Sequence, residues 1–340
     1  MSAHLLEVEG VSKRFVRILT LGEKIAGRLG ADVETREVRA VENVSLEIAP
    51  GETLGLVGES GCGKTTLGRI AAGILPPTKG AVRLDGRPMM SNGAHPRKLT
   101  TKVQTVFQDP FASLNPRMRV GEIIAEGPLV HGLVKAAEAE NYVAEWLRRV
   151  GLDRDYARRY PHQFSGGQRQ RIAIARALAM QPDLLICDEP VASLDVSIQA
   201  QILNLFLKLR RELGLTCLFI SHDLGVVRHV SDRVAIMYLG RIVELGPTAE
   251  IYFDPRHPYT KALLESVPVL ARGGDGGKRD FKPIEGELPS PLSPPAGCHF
   301  HPRCPHAFER CPREAPALKA VAPGRLAACH LNDAARAVPA

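Results

Sequence analysis

One stretch constrains this chain more than any other: Gly58-Glu59-Ser60-Gly61-Cys62-Gly63-Lys64-Thr65-Thr66, the pattern G-x-x-x-x-G-K-T in full. Before it stands a short apolar run, Thr53 to Val57, bounded by Pro50-Gly51, and this reads as a buried strand. Behind it Leu67 to Leu75 continues at helical spacing. A loop between such a strand and such a helix needs glycines to wrap tightly and aim successive N–H groups at phosphate oxygens. The helix adds its positive N-terminal end. Lys64 would neutralise the β- and γ-phosphates and the Thr65 hydroxyl would ligate Mg²⁺, with Ser60, Gly61, Cys62, Gly63 and Thr66 completing the cradle. The alternative is a chance glycine-rich turn, against which the strand and helix on either side argue.

A phosphate loop alone does not separate kinases, GTPases, helicases and transporters. The second apolar run, Asp183-Leu184-Leu185-Ile186-Cys187-Asp188-Glu189-Pro190, ends in two adjacent acids. Asp188, at the strand's end, can hold Mg²⁺ through water. Glu189 is turned the other way by the chain and can orient and polarise an attacking water. Alone, such acids are commonly a turn and a helix cap; beside the phosphate loop they read as catalytic.

Between these strands lies Phe164-Ser165-Gly166-Gly167-Gln168-Arg169-Gln170-Arg171, followed by a strong helix former, Ile172 to Leu178. Ser165 with two glycines before a helix is a second anion site of a different kind. Here the sequence resembles the ATP-binding cassette (ABC) ATPases, whose signature L-S-G-G-Q is matched with Phe164 in place of Leu. In that family the signature of one subunit closes over the ATP held by the other. The resemblance therefore implies a dimer of cassettes, with Ser165, Gly166, Gly167 and Gln168 reaching a partner's nucleotide. The fold it implies is an α/β P-loop cassette: a RecA-like core with a mostly parallel sheet, an antiparallel β subdomain and a helical subdomain.

The other motifs of the family follow in order. Val106-Phe107-Gln108-Asp109-Pro110 is similar to the Q-loop, whose Gln108 would contact Mg²⁺ and the water and sense the γ-phosphate. Ser193-Leu194-Asp195 resembles the D-loop, with Asp195 crossing to the partner's site. The apolar strand Thr216 to Ser221 delivers His222, which would bind the γ-phosphate and steady the water beside Glu189. Phe15 fits the aromatic residue that stacks on adenine, and core packing competes for it. The resemblance covers Leu5 to about Thr248. Within it about 111–180 would be the helical subdomain, and Ile18 to Arg39 would be an insertion before a strand Ala40 to Ile48. Leu21, Ile25 and Leu29 repeat at i+4 there and allow a short amphipathic helix.

A chain of 340 residues suggests about two domains. The division implied is a cassette over 1–250 and an extension over 251–340. With 44% hydrophobic and 24% charged residues the chain is globular rather than fibrous or disordered. The net charge of +7, 44 basic against 37 acidic residues, permits a nucleic-acid or membrane-surface partner but favours a mixed solvated surface. No apolar run approaches the roughly 18 residues of a membrane span, and the N-terminus has no signal-peptide core. The expectation is an intracellular, peripheral protein. A single cassette without fused membrane helices points to an importer ATPase docked on two separate permease subunits, supplied indirectly by an extracytoplasmic binding protein and paired with a second, heteromeric ATPase subunit. Phe107 to Arg117 and Asn204 resemble the dipeptide/oligopeptide importers. So do Asp254 to Leu264 and Gly286-Glu287-Leu288-Pro289-Ser290-Pro291, within the Gly/Pro-rich stretch Arg272 to Gly297. Nickel, opines and glycosides remain open as cargo, as does action on nucleic acid.

Seven cysteines are present, and Cys62, Cys187 and Cys217 lie singly in the cassette, where small apolar filling suffices. Cys298, Cys304, Cys311 and Cys329 crowd the last 43 residues at irregular spacing among prolines. A region too small for its own core suggests a staple, and an intracellular setting disfavours disulfides. The resemblance to importer ATPases implies a [4Fe-4S] cluster on these four, with zinc and unligated thiols as alternatives. Lying far in sequence from Lys64, Asp188 and His222, they carry no evident link to phosphate chemistry.

Overall fold

Unbroken apolar runs become strands buried on both faces, as a parallel sheet covered by helices requires. The computed structural model describes residues 4–16, 37–91, 93, 95–266, 284 and 286–333. The strands are β1 (Leu6–Val16), β2 (Glu37–Ile48), β3 (Thr53–Val57), β4 (Lys79–Leu84), β5 (Arg87–Pro88), β6 (Val103–Val106), β7 (Leu184–Asp188), β8 (Thr216–Ser221), β9 (Arg233–Tyr238), β10 (Arg241–Pro247), β11 (Lys319–Ala322) and β12 (Arg325–Ala327). Every residue of β3, β7 and β8 is buried.

Two sheets result. The larger has the order β11-β12-β10-β9-β3-β8-β7-β6, with parallel pairing from β9 through β6 and antiparallel pairing from β9 outward to β11. Successive residues of a strand point to opposite faces. Accordingly Leu185, Cys187, Cys217 and Phe219 feed one core, while Leu184, Ile186, Leu218 and Ile220 feed the other. The smaller sheet, β2-β1-β4-β5, is antiparallel. It is covered on one face only, so Val44, Leu46 and Ile48 are buried while Ser45 and Glu47 are exposed. β2 begins at Glu37, three residues ahead of the strand expected from Ala40. The helix allowed around Leu21, Ile25 and Leu29 lies outside the described residues.

Between β6 and β7 the chain forms helices Pro110–Ser113, Val120–Val130, Ala139–Arg149 and Gly166–Leu178. They pack around Ile123, Ile124, Trp146, Leu147 and Ile172. Ser165 is the N-cap of the last of them, and Ile174 and Leu178 of that helix share a core with Val106 of β6 and Leu185 and Cys187 of β7.

The C-terminal segment adds two strands to the larger sheet, β12 pairing antiparallel with β10 through Glu244↔Ala327 and Leu245↔Leu326. An ion pair is buried beneath this junction. Glu244 is fully buried, accepts N–H bonds from Arg256 (2.7 Å) and His257 (3.0 Å), and lies 3.4 Å from Nη2 of Arg325, itself 4% exposed. Arg325 also reaches the Asp254 carboxylate at 3.3 Å. Removing one partner of a buried pair leaves an uncompensated charge, at a cost of about 3–5 kcal/mol. Arg325→Ala should therefore lower the Tm by about 5 °C in a calorimetric scan; an unchanged Tm would mean that the two N–H groups alone satisfy Glu244.

Candidate functional site

The phosphate loop leaves β3 at Val57 and enters helix Lys64–Ala71. Gly61 and Gly63 hold φ of 81° and 108°, the left-handed side that L side chains avoid. The loop is also pressed against backbone. A Cβ on Gly58 would lie 2.1 Å from the Met237 carbonyl oxygen, and one on Gly63 would lie 2.1 Å from that of Ala40. Lys64 is buried, and its ammonium donates to the carbonyls of Gly58 (2.8 Å) and Glu59 (2.9 Å). The Cys62 thiol is buried in the apolar core, and burial pushes its pKa up. It acts there as a small apolar filler, so this residue offers the cradle only backbone.

Asp188 ends β7 beneath this loop and accepts a bond from the Thr65 hydroxyl at 3.0 Å. Burial pushes its carboxyl pKa up; the Thr65 bond opposes the shift and the Glu189 charge adds to it. A divalent cation beside it would reverse that shift, and the Thr65–Asp188 pair supplies oxygen donors of the kind Mg²⁺ takes. Glu189, next in the chain, has φ of 48°. It accepts Nε2 of Gln108 at 3.1 Å and lies 3.2 Å from Nδ1 of His222. Two residues expected to share one reaction with Glu189 therefore converge on its carboxylate, because β6, β7 and β8 end at the same edge of the parallel sheet. A cavity of about 240 Å³ opens there, lined by residues 60–66 with Gln108 and Glu189 on one side and by Val38, Arg39, Ala40, Leu239, Gly240 and Pro291 on the other.

The remaining expected residues stand apart from this cavity within one chain. Ser165 caps helix Gly166–Leu178: its hydroxyl accepts the Gln168 N–H at 3.3 Å and the Gln168 side chain accepts the Ser165 N–H at 3.1 Å. Asp195 precedes helix Val196–Leu213 and is exposed. These two elements touch. A Cβ on Gly167 would lie 2.6 Å from Ile198, and one on Gly166 would lie 3.4 Å from Leu194. Phe15 is 43% exposed, pairs with Val38 along β1 and β2, and has the Lys13 ammonium 5.4 Å over its ring. It belongs to neither apolar core, while its strand partner Val38 lines the cavity.

The expectation of an iron–sulfur or other metal centre at the tail is overturned. Among the described residues no group of three or more His, Cys, Asp or Glu side chains is arranged to hold a metal ion. Burial pushes the thiols of Cys298, Cys304 and Cys329 up, Cys329 to about 11. Cys311 packs as a buried apolar side chain, and its carbonyl accepts the Cys298 N–H at 2.8 Å. Other interactions hold this region. Phe300 is buried against Tyr238 and Tyr259, both with centroids 5.3 Å away, and Arg325 and Arg303 reach carboxylates of the preceding residues.

None of the residues on the far wall of the cavity, Val38 to Ala40 with Leu239-Gly240 and Pro291, was expected at the nucleotide site. Only the turn at Leu239-Gly240, with φ of 41° and 80°, follows from a local rule, that of tight hairpins.

The ABC transporter family profile matches residues 41–192, and that of the oligopeptide/dipeptide transporter C-terminal region matches residues 243–311. The chain is 52% identical over 297 residues to the oligopeptide transport ATP-binding protein AppF of Bacillus subtilis, covering 87% of this chain and 90% of that one. It is 47% identical over 305 residues to the dipeptide transport ATP-binding protein DppF of Haemophilus influenzae, covering 89% and 92%. Among solved structures, the ATP-binding cassette MJ0796, a dimer in a post-hydrolysis state bound to ADP and Pi, superimposes with a TM-score of 0.59 at 29% identity, over 72% of this chain and 98% of that one.

The close approach at Gly63 gives a test of the cradle. Gly63→Ala places a methyl group on a carbonyl at a backbone angle that alanine resists, so ATP affinity should fall by more than tenfold, roughly 1.4 kcal/mol or more. Titration with a fluorescent nucleotide would check this, and an unchanged Kd would remove Gly63 from the phosphate site.

Proposed function

The chain belongs to the ABC transporter ATP-binding proteins, in the group that carries the oligopeptide/dipeptide C-terminal region, and from this premise we propose that it is the ATP-hydrolysing subunit of a peptide importer. The observation that carries the reading is the convergence of Gln108 and His222 on the Glu189 carboxylate at the mouth of the phosphate cradle. ATP enters as substrate. The N–H groups of residues 60–66 wrap its β- and γ-phosphates, and Lys64 exchanges its loop carbonyls for phosphate oxygens. Thr65 and Asp188 would hold Mg²⁺, which neutralises charge on the transferring phosphoryl group. Glu189 accepts the proton of the attacking water, and Gln108 and His222 fix the direction in which its carboxylate points. His222 also reaches toward the γ-phosphate.

Ser165 to Gln168 and Asp195 form an exposed face away from the chain's own cavity, and that arrangement suits a second cassette whose ATP they cover. ATP binding then closes the pair and hydrolysis reopens it. We assign the second cassette to a different ATPase subunit, as the family resemblance implies. Among the described residues no helix is long and apolar enough to cross a membrane. The passage for cargo is therefore given to two permease subunits, with this chain peripheral at their cytoplasmic side and an extracytoplasmic binding protein delivering peptides. The C-terminal region spanning residues 243–311, shared with peptide-transport relatives, favours peptides over nickel, opines, glycosides or nucleic acid.

Glu189→Gln keeps the shape and the Gln108 contact but removes the base, so turnover should fall by about 10²- to 10⁴-fold while ATP binding persists. In cells carrying the permease subunits, uptake of labelled dipeptides should stop as well. Normal turnover in this variant would overturn the role of Glu189, and hydrolysis without any peptide dependence in the assembled complex would overturn the cargo.

Phe15 stands exposed beside the strand that lines the cavity, where an adenine ring can stack on it. Stacking of a base on an aromatic ring contributes about 1–3 kcal/mol, so Phe15→Ala should weaken ATP binding by about tenfold or more. Calorimetric titration of the folded variant decides, because an unchanged Kd would take the adenine away from Phe15.

A further inference from the structure

The phosphate loop contains one acid, and the fold places a guanidinium on it. Glu59 follows Gly58 directly, and its carboxylate receives Nη1 of Arg303 at 2.9 Å on one oxygen and Nη2 at 3.2 Å on the other. The two residues are 244 positions apart. The Arg303 side chain is 6% exposed and that of Glu59 is 22% exposed. The Glu59 N–H is fixed as well, donating to the Tyr259 hydroxyl at 3.0 Å. Arg303 lies 6.0 Å over the Tyr238 ring, and its Nη1 is 3.5 Å from that hydroxyl. It closes the short turn His301–Arg303 that follows the buried Phe300. The segment carrying Arg303 is thus seated on the aromatic rings Tyr238 and Tyr259, and its guanidinium is aimed at the loop.

A carboxylate at this position works against a triphosphate in two ways. Its charge repels the phosphate oxygens across a partly desolvated space, where Coulomb interactions are strong. It is also a natural partner for Lys64, two bonds of which already go to this same turn, through the carbonyls of Gly58 and Glu59. A bidentate guanidinium answers both, since it neutralises the charge and occupies both oxygens with a fixed geometry.

We propose that Arg303, delivered by the C-terminal extension, is a positioning residue for the nucleotide site: it neutralises Glu59 and holds the first turn of the phosphate loop in the form that accepts ATP. The extension thereby sets the affinity of the cassette for nucleotide. This rests on the reading that residues 60–66 bind the phosphates of ATP, and it adds a residue that touches neither nucleotide nor water.

The test is a double-mutant cycle on the full chain with Mg-ATP, read by titration calorimetry and steady-state hydrolysis. Arg303→Ala should raise Kd and KM for ATP by about tenfold with kcat within about twofold of the parent, because the water-orienting group Glu189 is untouched. Glu59→Gln added to Arg303→Ala removes the exposed charge and should return Kd to within about twofold of the parent, a rescue that a purely structural role would not give. If Arg303→Ala does not fold, Arg303→Met keeps the aliphatic stem against Tyr238 and runs the same cycle. A Kd unchanged in the single variant, or a loss that Glu59→Gln does not rescue, overturns the proposal. Failure of the unsubstituted chain to bind ATP removes both this reading and the proposed function, so the two are told apart.

Discussion

The phosphate loop has no room for side chains where it meets the backbone of both sheets. Gly58 lies against the Met237 carbonyl at the end of β9, and Gly63 lies against the Ala40 carbonyl in β2. These contacts make the position of the antiparallel sheet part of the nucleotide site, because a shift of β2 would move the wall against which the loop is shaped. The same close approach recurs behind the loop. A Cβ on Gly68 would lie 2.4 Å from Cδ1 of Ile220, so helix Lys64–Ala71 settles directly on β8. β8 in turn carries His222 at its end. Loop, helix and catalytic edge are held at one spacing by close contact at these glycines, and packing at interior density leaves that spacing little freedom.

What could be read from the sequence follows from how far each residue's partners lie. Lys64, Asp188, Glu189 and His222 act where a parallel strand ends, and an apolar run announces such a strand without reference to anything distant. The fold needs only to bring the ends of β3, β6, β7 and β8 to one edge, which parallel pairing does. The far wall of the cavity was not legible, because Val38 to Ala40 and Leu239-Gly240 reach it through the packing of one sheet on another. Nor was the continuation of the larger sheet by β11 and β12, since strands of four and three residues give no alternation to count. The spacing of Val143, Trp146 and Leu147 gives a buried helix face, but the helical block between β6 and β7 was expected from the family resemblance and not from that spacing.

The cysteine-rich tail shows how composition misleads when a region is judged by itself. Four cysteines in a stretch too short for a core suggested a metal staple, but the stretch does not build a core alone. It borrows one: Phe300 completes an aromatic cluster with Tyr238 and Tyr259. The thiols are left to pack within it, Cys311 buried and the other three partly so. The net charge of +7 was equally silent about where charge matters. Most ion pairs among the described residues lie on the surface and contribute little, whereas Arg303 and Arg325 are nearly buried and each meets a carboxylate from earlier in the chain, Glu59 and Glu244.

Buried ion pairs are weak sources of stability but strong sources of register, because a misplaced partner leaves a charge unpaired. The two arginines therefore specify how the extension docks, one against β10 and one against the phosphate loop. On the proposed role of Arg303 this geometry has a thermodynamic consequence. If docking of the extension favours the loop conformation that accepts ATP, then ATP must favour docking of the extension by the same factor, since coupling between two binding equilibria is reciprocal. Nucleotide occupancy is then felt by the extension as well as at Ser165 and Asp195. A cassette built this way reports its nucleotide state in two directions: to a second cassette through exposed backbone donors, and to its own C-terminal segment through one guanidinium.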